Sequence, residues 1–388
     1  MRLHLLLPQV KPGALTPPTS CPTPDCPGST FRLHQQVRKA VRDTRYAHVP
    51  AARYQCLTCH HTFRVYPLGV TAAHTSQRVR GLGVMFYLLG LSYGATALAL
   101  EALGVPLAKS TIYEAMQAAA AGLPDLRQDA VFAGLRTPAL GADLTSVLCN
   151  GEWLTLGLTV DAVSGLTLTI DVLEGSDAAT IQAWLAPIVA AVGAELLVTD
   201  DADSMKAAAD GLGLTHQVCK AHVRRNTEAL VAELTAKVMG DPDGSLAAIG
   251  VPVEQAQADL WRLGEVVRER QPQQAYEVDV IHQRYKDAAP PGKGAKWSLA
   301  YRLRQLFLDR AQLWSRLTRY RTWEGPDGET IDGTNNASER GIGWWIKERY
   351  RTMRGYKQPA SAVNVSRLVA WAGNALGGPA ADLAQVLA

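Results

Sequence analysis

The stretch Glu195-Leu196-Leu197-Val198-Thr199-Asp200 is an apolar run that closes on a carboxylate. A short run rich in Leu and Val is typical of a buried strand. A second run, Ala139-Leu140-Gly141-Ala142-Asp143-Leu144, also carries its carboxylate near the end. An acid at such a position is costly unless it is paired or binds a metal ion. The two runs therefore predict a buried sheet that presents Asp143 and Asp200 together.

A third acid, Glu339, lies in Thr334-Asn335-Asn336-Ala337-Ser338-Glu339-Arg340, where Asn335 or Asn336 is expected to cap a helix. If the two strands are neighbours, about 4.8 Å apart, the acids can share hard cations such as Mg²⁺, which prefers oxygen ligands. Each acid alone is more typical of a turn or a helix start. Their joint placement predicts one divalent-metal site suited to phosphodiester chemistry.

The region around these acids is predicted to form a mixed sheet. Three strand-like runs after Pro138 favour an antiparallel meander, and helices and further strands follow. The predicted elements are strands 139–144, 153–161 and 165–173, a helix at about 177–192 capped by Asp177, strand 195–200, another helix and a strand near 214–218.

The span between Asp200 and Glu339 is predicted to be mostly helical, with helices over 223–239, 253–270 and 297–321. So long a span cannot be a loop of a compact domain. It is expected to fold as an all-α insertion, after which the chain returns to the sheet with Glu339.

Charge is segregated along the chain of 388 residues, whose net charge is +3. Residues 1–80 hold 11 Lys and Arg against 2 Asp and Glu, and residues 131–222 hold 3 against 11. A basic amino-terminal module suits a polyanion such as DNA, and an acidic centre suits bound cations. Solvated surface charge is the alternative explanation.

Four of the six cysteines form two close pairs, Cys21 with Cys26 and Cys56 with Cys59. Two such pairs around a basic segment predict a zinc ribbon, because four thiolates complete a tetrahedral Zn²⁺ shell and stabilise a module with little core. The four-residue gap of the first pair is loose, and His60 or His61 could replace Cys59.

Helices predicted at 76–91, 93–103 and 107–121 have the pattern of a helix-turn-helix. At the start of the third helix, Ser110, Thr111 and Tyr113 could approach base edges, while Lys109 meets phosphate. An ordinary small helical bundle is the alternative, and the basic neighbouring module favours DNA binding.

Cations alternate with aromatic residues after Glu339. The cations are expected to hold DNA phosphates, and Trp344 or Trp345 to stack on an unpaired base. Alternatively, one Trp packs inside and the other is partly exposed. The predicted phosphate contacts are Lys347, Arg349, Arg351, Arg354 and Lys357.

Together these motifs resemble a bacterial insertion-sequence transposase of the DDE, RNase H-like type, over nearly the whole chain. The family's acids fall on Asp143, on Asp200 within Val198-Thr199-Asp200-Asp201, and on Glu339. Asp201 is the alternative to Asp200, which is preferred because it ends the apolar strand. The family's Cys-x-x-His segment matches Cys219 and His222, which are expected to support the site without binding zinc, since two ligands are missing.

The resemblance implies binding to terminal inverted repeats, metal-dependent strand cleavage and strand transfer into target DNA. It implies two Mg²⁺ or Mn²⁺ ions on the three acids and a structural Zn²⁺. The partners would be double-stranded DNA and further copies of the chain, with no nucleotide cofactor and no membrane, in the bacterial cytoplasm at the nucleoid. The residues expected beside the catalytic acids are Cys219, His222, Asn335, Asn336 and Arg340.

The predicted fold is multidomain α/β. A nuclease or resolvase without strand transfer, and a DNA-binding regulator derived from a transposase, remain as alternatives. Five segments are predicted. They are the zinc ribbon 1–70, the helix-turn-helix 71–125, the first part of an RNase H-like core with a mixed five-stranded sheet at 136–222, the all-α insertion 223–330, and the final core segment 331–375, which contains Glu339 and the basic and aromatic residues.

Overall fold

The structure is a computed structural model that describes residues 5–353, 355–374 and 381–387, the side chain of Val131 excepted. The chain divides into two units. The first contains residues up to Asp125, residues 146–156 and residues from Ile342 onward, and the second contains 126–145 and 157–341. Asp143, Asp200 and Glu339 therefore all belong to the second unit.

Strands and helices follow one another in groups along most of the chain, and they alternate singly between residues 178 and 238. The strands are β1 Leu5–Leu6, β2 Phe31–Ala40, β3 His48–Cys56, β4 Thr62–Val65, β5 Ala139–Cys149, β6 Glu152–Asp161, β7 Thr167–Leu173, β8 Leu196–Thr199, β9 Thr215–Val218 and β10 Ala381–Asp382. The helices are α1 Gln77–Leu88, α2 Tyr93–Ala102, α3 Lys109–Ala121, α4 Ala178–Val192, α5 Asp203–Gly211, α6 Lys220–Val238, α7 Ser245–Ala248, α8 Val253–Glu269, α9 Ala275–Arg284, α10 Leu299–Thr318, α11 Asn336–Gly341, α12 Glu348–Met353, α13 Pro359–Asn374 and α14 Leu383–Val386, with a π-helix at Ile342–Lys347.

The first unit contains the antiparallel sheet β2-β3-β4 and the helices α1 to α3. The hydroxyl of Ser76 accepts a hydrogen bond from Val79 N at the start of α1, and that of Ser92 does the same for Ala95 N in α2. Such caps satisfy amides that have no partner within a helix. The three helices lie close to the predicted bounds.

A five-stranded sheet has the order β7-β6-β5-β8-β9, and most of its residues belong to the second unit. The strands β5 and β6 are joined by Asn150 and Gly151, whose φ values of 51° and 89° suit a tight hairpin turn. In contrast, β8 runs parallel to both β5 and β9. The mixed five-stranded sheet with flanking helices is confirmed.

Helix α4 covers one face of this sheet. Asp177 caps it as predicted, accepting a hydrogen bond from Thr180 N over 3.0 Å. Its buried residues Ile181, Leu185 and Ile188 pack in one apolar cluster with residues of β5 and β8. Burying aliphatic side chains in this way stabilises the fold by about 1.5 to 3 kcal/mol each.

Helices α6 to α10 have an apolar core of their own, centred on residues such as Leu263, Phe307 and Trp314. The three predicted helices of this region are present at 220–238, 253–269 and 299–318. Within the described residues, no helix has the length and apolar character needed to cross a bilayer.

Candidate active site and cysteine cluster

The first two candidate acids lie at matching positions of adjacent strands. Gly141 of β5 is the register partner of Val198 of β8. Asp143 and Asp200 each follow two residues later. Neighbouring parallel strands lie about 4.8 Å apart, so the sheet presents both carboxylates at the same edge. This is the neighbour relation on which the predicted metal site depends.

Glu339 reaches this edge on the short helix α11. The Asn335 side chain, just before the helix, donates from Nδ2 to Ala142 O over 3.3 Å. A Cβ placed on Gly141 would lie 2.8 Å from Ser338 Oγ and 2.8 Å from Val160 Cγ2. Glycine at this position therefore permits the helix to approach β5 closely.

The three carboxylates remain accessible, since each residue is half-buried. Asp143 Oδ1 accepts a hydrogen bond from Leu144 N over 2.8 Å, and Asp200 Oδ1 accepts one from Ala202 N over 3.2 Å. Within the described part of the chain, the oxygens of the three acids do not all lie within 4.8 Å of one another. Two ions about 3.5 to 4 Å apart would not require a tighter cluster.

Asp201, the alternative to Asp200, points to a different partner. Its Oδ1 lies 3.1 Å from Lys206 Nζ. The same ammonium lies 2.8 Å from Asp203 Oδ1. The ammonium of Lys206 thus balances the negative charge of Asp201. The carboxylate of Asp200 instead accepts a hydrogen bond from a backbone amide just after the strand.

The start of α6 is tied to the end of β8 and to the segment before α11. Cys219 N donates to Thr199 O over 2.8 Å, and Lys220 N donates to Gly333 O over 2.9 Å. These backbone bonds fix where the first turn of α6 presents its side chains.

Cys219 and His222 meet Glu339 as a result. The Cys219 sulfur, a ring nitrogen of His222 and a Glu339 oxygen all lie within 4.8 Å of one another. His222 Nδ1 is 3.6 Å from Glu339 Oε1. Asn335 N donates to the sulfur over 3.3 Å.

Behind Asp200, a buried histidine supports the strand. His216 Nε2 lies 2.9 Å from Thr199 Oγ1, and Arg316 donates to its Nδ1 over 2.9 Å. Because Nδ1 accepts, Nε2 carries the proton. Burial, followed by the positive charge of Arg316, lowers the pKa of His216 to about 3. Arg316 also binds both oxygens of Asp210 at 2.8 Å.

A basic cleft that the sequence interpretation missed lies along the start of α6. Its signal was the group of cations in Lys220-Ala221-His222-Val223-Arg224-Arg225, which the sequence analysis divided between the Cys-x-x-His segment and the start of a helix at 223. The cleft is lined by Lys220, Ala221, Arg224, Arg225, Glu228 and Arg270.

The four paired cysteines of the first unit come together. Cys21 Sγ lies 3.6 Å from Cys59 Sγ, and Cys26 Sγ lies 3.9 Å from Cys56 Sγ. Sulfurs on a tetrahedral Zn²⁺ with bonds of 2.3 Å would be about 3.8 Å apart. All four sulfurs lie within 4.8 Å of one another, so the cluster fits a structural zinc ion. Cys59 itself supplies the fourth sulfur.

The surroundings of the Cys56 thiol favour metal binding. Hydrogen bonds from the backbone amides of Cys59 and Thr58 lower the pKa of the Cys56 thiol to about 6. A lower pKa favours the thiolate, which is the form that binds metal. A side chain at Gly28 would collide with this sulfur.

The predicted DNA contacts of α3 lie at its beginning. Lys109 and Ser110 are exposed, and Thr111 and Tyr113 are half-buried. Tyr113 packs edge-on against Tyr93 at a centroid distance of 5.8 Å. Lys109 and Ser110 are thus accessible to a ligand, whereas Tyr113 has a packing role within the helices.

The two tryptophans after Glu339 differ. Trp345 is 6% exposed and lies against Gly373, whereas Trp344 is 44% exposed. The structure therefore agrees with the alternative in which one tryptophan is packed inside and the other is partly exposed. Trp344 alone is accessible for stacking.

One predicted phosphate contact is wrong. Arg349 is 4% exposed, and its guanidinium lies 4.2 Å above the Tyr87 ring. It also donates to Gly90 O and Leu91 O. Its charge is used inside the first unit, because Arg stacks well on aromatic rings. Lys347, Arg351 and Lys357 are exposed, and Arg354 lies outside the described residues.

No protein-family profile matches this chain, and no curated protein is similar to it. Among the solved structures that are partly similar to this chain are two integrase catalytic cores. The integrase catalytic core of HTLV-2, in complex with magnesium in a trimeric form, has 18% identity, covers 33% of this chain and 84% of its own, and gives a TM-score of 0.19. The integrase catalytic core of BIV has 14% identity, covers 53% of this chain and 97% of its own, and gives a TM-score of 0.18. TM-scores this low do not establish a shared fold.

Proposed function

We propose that this protein is a DNA transposase of the DDE type, which cuts DNA at the ends of a mobile element and joins them to target DNA. The observation that carries the proposal is the position of two distant acids at one edge of the sheet, with the helix of the third acid packed against the same strand. Asp143 and Asp200 follow a matched residue pair on adjacent strands, and Glu339 belongs to a helix packed on one of them.

The proposed core is RNase H-like. In support, the sheet order β7-β6-β5-β8-β9 combines a meander with two parallel strands, which is the arrangement expected from the order of elements in the sequence. The helices α6 to α10 follow the second acid and precede the third, as expected for an insertion.

The donor set suits Mg²⁺ or Mn²⁺, which favour carboxylate oxygens. When bound, two such ions would activate a water or a 3′-hydroxyl and stabilise the leaving oxygen. Asp143 and Asp200 would hold them from the sheet and Glu339 from α11. His222 Nδ1 lies 3.6 Å from the Glu339 oxygen, which is too far for a hydrogen bond, so the ring would pack beside that carboxylate.

Several surfaces suit DNA. The cleft beside α6 presents Lys220, Arg224, Arg225 and Arg270, and cations of this kind bind phosphates independently of sequence. The four-cysteine module would act as a zinc ribbon and α1 to α3 as a helix-turn-helix, with Lys109 and Ser110 at the exposed start of α3. Two DNA ends would be held by an oligomer of the chain.

The test is cleavage and joining of DNA that carries the flanking inverted repeats, in Mg²⁺ or Mn²⁺, comparing wild type with Asp143→Asn. This change keeps the side-chain shape and removes the charge of a ligand. We expect both reactions in the wild type and neither in the variant.

Two outcomes would overturn the proposal. Cleavage without joining would identify a nuclease or resolvase. Specific binding of the ends without cleavage by either protein would identify a regulator.

A further inference from the structure

Cys219, His222 and Glu339 form a second group of potential metal ligands, which we call the Cys-His-Glu cluster. Their ligand atoms lie within 4.8 Å of one another. The sequence interpretation set Cys219 and His222 aside because a pair lacks two ligands. The fold supplies the third from a helix that is 117 residues further along the chain than His222.

The cluster has the spacing of a zinc site. Zn²⁺ holds nitrogen and oxygen ligands at about 2.0 to 2.2 Å, so a tetrahedral site separates them by about 3.4 Å. His222 Nδ1 and Glu339 Oε1 are 3.6 Å apart. This pair would need to close by only a few tenths of an ångström, and the Cys219 sulfur lies within 4.8 Å of both atoms, which leaves the fourth position for water.

The bonding needs of the atoms also favour a metal. His222 Nδ1 is buried and has no hydrogen-bond partner among the described residues, and the 3.6 Å to Glu339 exceeds hydrogen-bond length. A neutral imidazole can use such a nitrogen as a metal ligand. A bound zinc ion would itself remove the proton of the Cys219 thiol.

The ligand set discriminates between metals. Thiolate and imidazole suit Zn²⁺, whereas Mg²⁺ is bound by oxygen. Asn335 N donates to the Cys219 sulfur and so fixes its position. This backbone contact is the kind of outer support that orients metal ligands.

We propose that the Cys-His-Glu cluster binds one zinc ion, and that zinc at this site inhibits the enzyme by withdrawing Glu339 from the Mg²⁺ ions. The binding stands on the geometry alone. The inhibition rests on the function proposed above.

Zinc binding is tested by equilibrium dialysis of the full chain against buffered Zn²⁺, with metal measured by mass spectrometry. We expect Cys219→Ser and His222→Gln each to bind one ion fewer than wild type. Cys149→Ser, which removes another buried cysteine, is the matched control and should bind as wild type does. Cys59→Ser should lose the other ion, from the four-cysteine cluster.

The His222→Gln variant is included because its side chain is partly exposed, so this change should disturb the fold less than a change at the buried Cys219. Circular dichroism checks the fold of each variant. Equal zinc content in wild type, Cys219→Ser and His222→Gln would overturn the proposed site. That result would not contradict the proposed Mg²⁺-dependent cleavage, which is tested separately.

Inhibition is tested by titrating Zn²⁺ into Mg²⁺-supported cleavage and comparing each variant with its own zinc-free rate. We expect His222→Gln to need at least about tenfold more zinc for half inhibition, a change of about 1.4 kcal/mol in binding. Equal inhibition of both proteins would refute the regulatory step. If neither protein cleaves DNA, the transposase proposal fails while the dialysis result stands.

Discussion

The four-cysteine cluster and the carboxylate site place their metal ligands in different ways. The cysteine sulfurs already have the spacing of a tetrahedral ion, at 3.6 and 3.9 Å. The carboxylates of Asp143, Asp200 and Glu339 are half-buried and more widely spread. The first arrangement fits a closed structural site, and the second leaves room for ions and substrate.

The difference follows from what supports the ligands. Cys56 ends β3 and the other three cysteines lie in the loops around the small sheet β2-β3-β4, where little apolar core is available and the metal itself would stabilise the fold. Two of the acids, Asp143 and Asp200, lie on or directly after strands of a sheet that packs against α4 through buried residues such as Leu197 and Ile188. A rigid support of this kind can hold charged groups apart until ions bind.

The largest expected effect separates two adjacent acids. Asp200→Asn should slow single-turnover cleavage on the order of a thousandfold, since metal charge stabilisation is worth several kcal/mol. Asp201→Asn should have a much smaller effect, because that carboxylate pairs with Lys206. If Asp201→Asn lost as much activity as Asp200→Asn, or more, the assignment of Asp200 as the second metal ligand would be wrong.

The next effect concerns the approach of α11 to β5. Gly141→Ala places a methyl group 2.8 Å from Ser338 Oγ, and a displacement of about 1 Å in Glu339 would cost on the order of a hundredfold in cleavage rate. Single-turnover kinetics and thermal unfolding should be measured together.

Gly264→Ala is the control for that change, since nothing lies within 4 Å of the added methyl group. Adding Ser338→Ala to Gly141→Ala should restore part of the activity. A Gly141→Ala protein as active as wild type would show that the close approach is not needed.

The support behind Asp200 should weaken in acid. The unfolded chain protonates His216 below its usual pKa of 6.5, whereas the folded protein keeps it neutral down to about 3. Stability is therefore complete above 6.5 and is lost as the pH falls towards 3. Between pH 8 and 5 the loss should be about 2 kcal/mol.

Hydrogen-exchange protection of β8 and β9, corrected for intrinsic exchange, measures this loss. His216→Gln should remove most of the pH dependence, and His34→Gln, which changes an exposed histidine, should retain it. An unchanged slope in His216→Gln would assign the acid sensitivity to another group.

The smallest expected effect lies in the four-cysteine cluster. Cys56→Ser should abolish zinc binding there and weaken the affinity for inverted-repeat DNA at least about tenfold, because the module would lose its fold. Cys149→Ser is the matched control, and fluorescence anisotropy with metal analysis is the measurement. Unchanged affinity in a zinc-depleted Cys56→Ser protein would remove the module from end recognition.

Local patterns in the sequence were enough to predict most elements. The strand that ends at Asp200, the helix capped by Asp177 and the helices of the insertion lie within a few residues of their predicted bounds, since apolar periodicity and caps act over short distances. The residue types of both metal-ligand sets were also apparent from the sequence, because thiols and carboxylates in these settings have few other uses.

Contacts between distant residues could not be predicted in this way. Arg349 looked like a phosphate contact among its exposed neighbours, yet the fold buries it against Tyr87. Similarly, nothing near His216 in the sequence indicates that Arg316 would hold its ring. Burial depends on partners far along the chain, and a charge pattern alone does not contain that information.

The sequence by itself determined the elements, the four cysteines and the three acids of this protein, because side-chain chemistry and periodicity are local properties. Only the tertiary structure decided that Gly141 pairs with Val198 and that Cys219 and His222 meet Glu339. The physical reason is that strand register and helix packing are set by burial of the whole apolar surface, to which every element contributes.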